Sequence, residues 1–230
     1  MSRLFTRYFM EWPARLWLGS HVAGSASSAT KAWQDKGYPP LRVAVNVAAQ
    51  ELRTHAIVER VQQSLAETGL DPSLLELEVT EGALQSGDEV VEVLEKLRSM
   101  GVRLALDDFG VGYSSLGSIK SLPFHRLKID RSFIRDLQHD ANDRSIARAI
   151  VAMGRSLKLE ILAEGVETLA QLRILQDEGC DEVQGYLLGH PMLVEALDTQ
   201  FPDRIARLPE SDSQVIRFGR RVPSIGIVKK

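Results

Sequence analysis

The sequence predicts an α/β protein of TIM-barrel-like (β/α)n architecture on parallel strands, read as an incomplete or modified (β/α)8 barrel. Three observations carry that reading. Strand-like and helix-like segments alternate along the chain, which calls for parallel strands joined by helical crossovers. Six strand-like segments each end in a polar or charged residue: Asn46, Glu78, Asp107 with Asp108, Lys128, Glu164 and Gln184. In parallel α/β folds, and above all in eight-stranded barrels, that edge holds the chemistry. The chain has 230 residues and no shift in composition that would mark a second domain, which is close to the size of one barrel.

The elements follow in order. Residues 18–36 read as a helix with Val22, Ala26, Ala29 and Trp33 on one face, stopped by Gly37 and Pro39-Pro40. Leu41 to Asn46 reads as a strand. Ile57, Val58, Val61 and Leu65 line a helix that stops at Gly69. Leu74 to Glu81 is the next strand. Val90, Val91, Val93, Leu94 and Leu97 mark a helix before Gly101. Val102 to Leu106 runs into Asp107 and Asp108, and a short helix from Ser114 to Leu122 leads to the strand Arg126 to Asp130. Ile146, Ala149, Ile150, Met153 and Leu157 mark a helix. Leu159 to Ala163 is a strand into Glu164. Leu169, Leu172 and Leu175 mark a helix ending at Gly179, Glu182 to Leu188 reads as a strand, and 192–208 as a closing helix. Residues 1–17 form an atypical N-terminal segment, 18–208 the barrel domain. The tail 209–230 carries five basic residues against two acidic ones and reads as basic and flexible.

Charge and composition narrow the function. With 28 basic against 31 acidic residues, net −3, no overall field recruits a nucleic-acid polymer. The single cysteine, Cys180, excludes an internal disulfide, and the five histidines lack zinc-ligand spacing. No stretch is long and apolar enough to cross a bilayer. Arg7, Glu11, Pro13 and Arg15 break any apolar core near the start, so a leader peptide is not expected. The expectation is a soluble, cytoplasmic chain.

The residue types then name a chemistry. Two adjacent acids at the tip of a buried strand repel each other unless something positive sits between them. Alone, Asp107 and Asp108 also fit a solvated strand tip followed by a helix cap; six polar strand ends at one edge do not. Asn46, Glu78, Asp107 and Asp108 are hard oxygen donors, which suit Mg²⁺ or Mn²⁺. Shared carboxylates can hold two ions about 3.5–4 Å apart, an arrangement that cleaves phosphodiesters. Lys128 can hold water or balance developing charge, and Glu164 can take a proton from water. The constellation reads as metal-dependent hydrolysis of a phosphate ester.

Six motifs bear a resemblance to a known family: Val45-Asn46-Val47-Ala48-Ala49, Glu76 to Glu81, Asp107-Asp108-Phe109-Gly110-Val111-Gly112-Tyr113-Ser114-Ser115-Leu116, Leu127-Lys128-Ile129-Asp130, Ala163 to Thr168, and Gln184-Gly185-Tyr186. In order and spacing they resemble the EAL family, bacterial phosphodiesterases that open cyclic di-GMP to linear pGpG. The resemblance implies that Asn46, Glu78 and Asp107 ligate one metal, and that Asp107, Asp108 and Glu164 serve a second. It implies Lys128 at the nucleophilic water, Glu164 as general base, Glu81 steadying the loop that starts at Asp108, Glu167 as a further polar catalytic position, and Gln184 as a substrate-binding residue.

Departures from the family pattern matter too. Val111 stands where the family has threonine, and Ala48 where it often has serine. The family's Glu-Ala-Leu strand, which supplies a metal ligand and, four residues on, an arginine for the substrate phosphate, is not found before Asn46. Glu11 and Arg15 keep that spacing of four, but Pro13 lies between them. Six strands leave two open edges, which invite a homodimer or a partner chain. The alternative function is therefore a catalytically inactive cyclic di-GMP-binding or protein-interaction domain, a receptor.

Overall fold

Six parallel strands pair in chain order into a curled half-barrel: β2 (Arg42–Val47), β3 (Leu75–Thr80), β4 (Arg103–Phe109), β5 (Arg126–Ile129), β6 (Glu160–Ala163) and β7 (Glu182–Val183). The computed structural model describes residues 5–11, 19–36, 40, 42–86, 88–112, 120–190 and 224–228. The closing helix read at 192–208, Pro13 with Arg15, and the start of the short helix at 114 lie outside them.

Two further strands close the ring. β1 (Phe5–Glu11) pairs with β7 and with β8 (Ser224–Val228), and β8 pairs with β2, all in parallel. This corrects the count of six strands with two open edges. It also puts a strand inside the stretch read as a flexible tail. Both were hidden for local reasons. The β1 sequence Phe-Thr-Arg-Tyr-Phe-Met-Glu carries an arginine mid-strand, and β8 is a five-residue Ser-Ile-Gly-Ile-Val beside Lys229 and Lys230. The last strand is also shorter than read: β7 ends at Val183, and the chain turns over 185–188.

Helices cover the outside of the ring. In α3 (Ala56–Thr68), Ile57, Val61 and Leu65 form one buried stripe, and Gly69 ends the helix at φ 65°. In α4 (Asp88–Ser99), Val90, Val93, Leu94 and Leu97 are buried. α6 (Ala141–Ser156) starts where the Asp140 carboxylate accepts the amides of Asn142 and Asp143, and it buries Ala147, Ile150, Val151 and Gly154. α7 (Leu169–Glu178) starts with a capping box of Thr168 and Gln171. α1 (Gly19–Asp35) buries Trp33. α2 (Ala49–Leu52) and α5 (Ser132–Arg135) are single turns.

The period-two geometry of strands sorts the residues by face. Val43, Val45, Leu75, Leu77, Leu104, Leu106, Leu127 and Ile161 belong to the apolar core that the helices pack on. Their alternates point into the ring. On β2, β4 and β6 these read Arg42-Ala44-Asn46, Arg103-Ala105-Asp107 and Glu160-Leu162, with Glu164 next in phase just beyond β6. On β3, β5 and β7 they read Glu76-Glu78, Arg126-Lys128 and Glu182, with Gln184 next in phase beyond β7. Alternate strands thus feed alternate layers, as expected of such barrels. The foot of the ring is a charge network. Arg126, fully buried, meets Glu182 at 2.7 Å, Glu76 at 2.8 Å and Glu160 at 3.0 Å. Arg103 adds Glu160 at 2.7 Å, and Arg42 lies 3.6 Å from the same carboxylate. Three guanidinium groups thereby face three carboxylates.

Candidate active site

At the opposite end of the ring, one ammonium holds three carboxylates. Lys128 Nζ lies 2.7 Å from Asp107, 2.7 Å from Glu164 and 3.0 Å from Glu78. Lys128 and Glu78 are each only 3% exposed. Strand pairing sets this meeting up. Asn46 and Glu78 are register partners on β2 and β3, and the Glu164 amide donates to the Ile129 carbonyl at 3.1 Å, which fixes Glu164 beside the strand of Lys128.

Asp108 sits next to this group with its backbone at φ 53°, a left-handed conformation that aspartate tolerates better than most residues. Its amide donates to Asp107 Oδ1 at 3.0 Å. Carboxylate oxygens of Asp107, Asp108 and Glu164 all lie within 4.8 Å of one another. Burial pushes the Glu164 carboxyl up to about 7; Lys128 opposes this, while Asp107 and Glu78 add to it. Burial likewise raises Asp107 against the pull of Lys128. Asp108 is raised by burial, then by the charges of Asp107 and Asp130. Such a cluster concentrates negative charge that a proton, or a cation beyond Lys128, relieves.

Gln184 is buried beside it. Its Nε2 donates to Glu164 Oε1 at 3.2 Å, while its Oε1 has no hydrogen-bond partner among the described residues. Its place depends on Gly185, where a Cβ would lie 2.2 Å from the Val166 carbonyl oxygen. Glu81 is not in the cluster. It is buried under the next loop, where its Oε2 accepts the amides of Gly110 and Gly112, each at 3.2 Å. Glu167 is exposed on the rim, apart from the ion pairs. A cavity of about 630 Å³ opens there, walled by Asp108, Val111, Asp130, Arg131, Arg135 and Glu167.

So the structure brings together Glu78, Asp107, Lys128, Glu164 and Gln184, with Asp108 and Asn46 alongside, and leaves Glu81 and Glu167 around them. Among the described residues, Glu11 ends β1 between β7 and β8, not on the strand beside Asn46. Two residues went unread as site elements. Asp130 raises Asp108 and walls the cavity. Gln171 accepts the amides of Glu167 and Thr168 at 2.8 and 2.9 Å and donates to the carbonyls of Ile134 and Arg135, so it ties the Glu164 loop to α5. A glutamine three residues after a threonine at a helix start was the available signal for Gln171.

Comparison with known proteins adds a second line. The family model for the EAL domain matches residues 15–191. The chain is 46% identical over 181 residues to the bifunctional diguanylate cyclase/cyclic di-GMP phosphodiesterase MucR of Pseudomonas aeruginosa, covering 78% of this chain and 26% of that protein. It therefore spans about a quarter of that relative's length. The solved structure of the PaMucR phosphodiesterase in complex with c-di-GMP superposes with a TM-score of 0.74 at 46% identity, covering 78% of this chain and 73% of that one. The EAL domain of Mycobacterium smegmatis DcpA gives 0.77 at 34% identity, covering 85% and 89%. The manganese/cyclic di-GMP complex of Klebsiella pneumoniae BlrP1 gives 0.66 at 30% identity, covering 75% and 45%.

Proposed function

The chain belongs to the EAL domain family, and from that premise we propose that it is a metal-dependent phosphodiesterase that opens cyclic di-GMP to linear pGpG. The observation that carries the reading is the Lys128 ammonium held among Glu78, Asp107 and Glu164, with Asp108 beside them. A site that gathers buried hard-oxygen donors around a cation fits Mg²⁺ or Mn²⁺. Asn46, Glu78 and Asp107 would hold one ion, and Asp107, Asp108 and Glu164 a second. Bound there, a divalent cation supplies positive charge for the phosphate and makes water easier to deprotonate.

The chain's own residues supply the rest. Glu164, half-buried at the edge of the cluster, is placed to accept a proton from water. Lys128 holds that water and offsets charge as it develops on the phosphate. Gln184 fixes the orientation of Glu164 through its 3.2 Å hydrogen bond. Glu81 holds the loop from Asp108 to Gly112 in place, and Glu167 with Arg131 lines the wall where the substrate lies. The water oxygen bonds to phosphorus, the ester bond to one sugar oxygen breaks, that oxygen takes up a proton to become a hydroxyl, and the ring opens. The expected partner is cyclic di-GMP.

One observation favours the second reading, a receptor that binds cyclic di-GMP without turnover. The strand beside β2 is β8, and Ser-Ile-Gly-Ile-Val offers no carboxylate where the family places its first glutamate. The test is hydrolysis of cyclic di-GMP by the purified chain with Mn²⁺ or Mg²⁺, paired with calorimetry. We expect pGpG from the native chain and a loss of about 10²–10⁴-fold in Glu164→Gln. Unchanged turnover in Glu164→Gln would remove Glu164 from its role. Binding without any product would select the receptor.

A further inference from the structure

A larger cavity, of about 690 Å³, lies at the foot of the barrel, remote from the carboxylate cluster. It sits at the start of β4, β5, β6 and β7, where Arg103, His125, Glu160 and Asp181 line it. Four cations face it: Arg98 in the last turn of α4, Arg155 in the last turn of α6, Lys120 and Lys158. Among the described residues no carboxylate lies within ion-pair distance of any of the four. The cavity's own two carboxylates are engaged elsewhere. Glu160 is held by Arg103 at 2.7 Å and Arg126 at 3.0 Å, and Asp181 accepts the Ile161 amide at 2.9 Å.

His125 stands in the same wall. Its Nδ1 accepts the Leu104 amide at 3.1 Å, so its own N–H is on Nε2. Burial, Arg103 and Arg98 push its pKa down to about 4, so it stays neutral and remains a donor.

Lys158 is the second observation. It follows α6 at φ 61°, a left-handed position that favours glycine. The chain uses glycine at the matching turns after α3, α4 and α7: Gly69 at 65°, Gly101 at 89° and Gly179 at 86°. Only the turn that lines this cavity carries a lysine. Complementing a helix dipole accounts for Arg98 and Arg155. It does not account for a strained lysine one turn beyond, or for Lys120 on a separate element.

We propose that this cavity binds a phosphate-bearing small molecule of nucleotide size, held by Arg98, Lys120, Arg155 and Lys158. Guanidinium forks match phosphate oxygens. The volume falls within the range of about 300–1,000 Å³ that accommodates such ligands. Leu122, Leu157 and Leu159 supply an apolar wall for a ring. This site is independent of the reading given to the carboxylate cluster.

The test is calorimetry of the full chain with pyrophosphate and with ADP, in metal-free buffer containing chelator. Both should bind, ADP more tightly, and both should weaken as salt is raised. Lys158→Gly removes backbone strain, so it should melt no lower than the native chain while binding about fivefold more weakly. Arg155→Gln should weaken binding similarly. Glu164→Gln, altered only in the distant cluster, should bind as the native chain does. The proposal falls if neither probe gives heat at about 10 mM, if Lys158→Gly and Arg155→Gln both bind as the native chain does, or if Glu164→Gln abolishes binding. Equal affinity for pyrophosphate and ADP would overturn the nucleotide-sized ligand.

Discussion

Replacing Lys128 by methionine removes the only cation that touches Glu78, Asp107 and Glu164 among the described residues, and leaves the volume nearly filled. Taking one partner from a buried ion pair costs about 3–5 kcal/mol, because the remaining charge has lost its compensation. Protonation limits the damage. The Glu164 carboxyl is already raised to about 7 with the ammonium present, and without it the group rises further. The sign follows from the direction of these shifts. Asp107, Asp108 and Glu164 are all raised by burial, so the folded chain binds protons more tightly than the unfolded one. Their contribution favours folding at low pH and is lost as pH rises through the folded values. The Lys128→Met deficit should therefore be largest near pH 8 and shrink towards pH 5. For a chain of this size, the pH 8 deficit corresponds to a fall in Tm of about 10 °C. The assay is thermal unfolding at both pH values, first with chelator and then with Mn²⁺. The added ion should recover more stability in the variant than in the native chain, because it replaces the lost charge. A Tm at pH 8 within about 2 °C of the native value, or a deficit unchanged at pH 5, would refute the reasoning.

Other outcomes follow from single contacts. Glu81→Gln weakens two amide contacts under the Asp108 loop, and should cut turnover about 10–100-fold with little change in Tm. Gly112→Ala, whose Cβ would lie 2.8 Å from Glu81 Cδ, should produce the same kinetic defect; native kcat in both variants would remove the loop-holding role. Gly185→Ala sets a Cβ 2.2 Å from the Val166 carbonyl and should cost about 1–3 kcal/mol in urea unfolding, with Gln184 displaced from Glu164. Arg126→Met takes from Glu182 its 2.7 Å partner and from Glu76 its 2.8 Å partner, leaves Glu76 only the longer contacts to Arg103 and Arg42, and should destabilise the chain by about 3–5 kcal/mol in the same assay.

Much of the site was legible because strands have a period of two and end where their apolar run ends. Asn46, Glu78, Asp107, Lys128, Glu164 and Gln184 each stood out as the polar residue closing such a run. Their mutual contacts were not legible, since pairing register is a tertiary fact: nothing near Lys128 in sequence says that it meets residues from three other elements. β1 and β8 escaped for the opposite reason. Each is too short or too polar to announce a buried strand, and only the gap between β7 and β2 gives them neighbours. Gly185 cut the last strand short through a close approach to Val166, which no local rule encodes. The foot of the ring left a trace that was passed over. Arg42, Glu76, Arg103, Arg126, Glu160 and Glu182 precede the six polar strand ends by two or four residues, an even spacing that puts both on one face.

That foot has a consequence for traffic. Arg126 is fully buried among three carboxylates, and in the layer above it, on the described strands β2, β4 and β6, stand the buried Ala44, Ala105 and Leu162. Hydrocarbon side chains between two charged layers raise the cost of moving an ion from one to the other. On these strands the direct path for a proton or water at Glu164 therefore leads away from the foot, toward the rim where Asp108 and Glu167 wall a cavity.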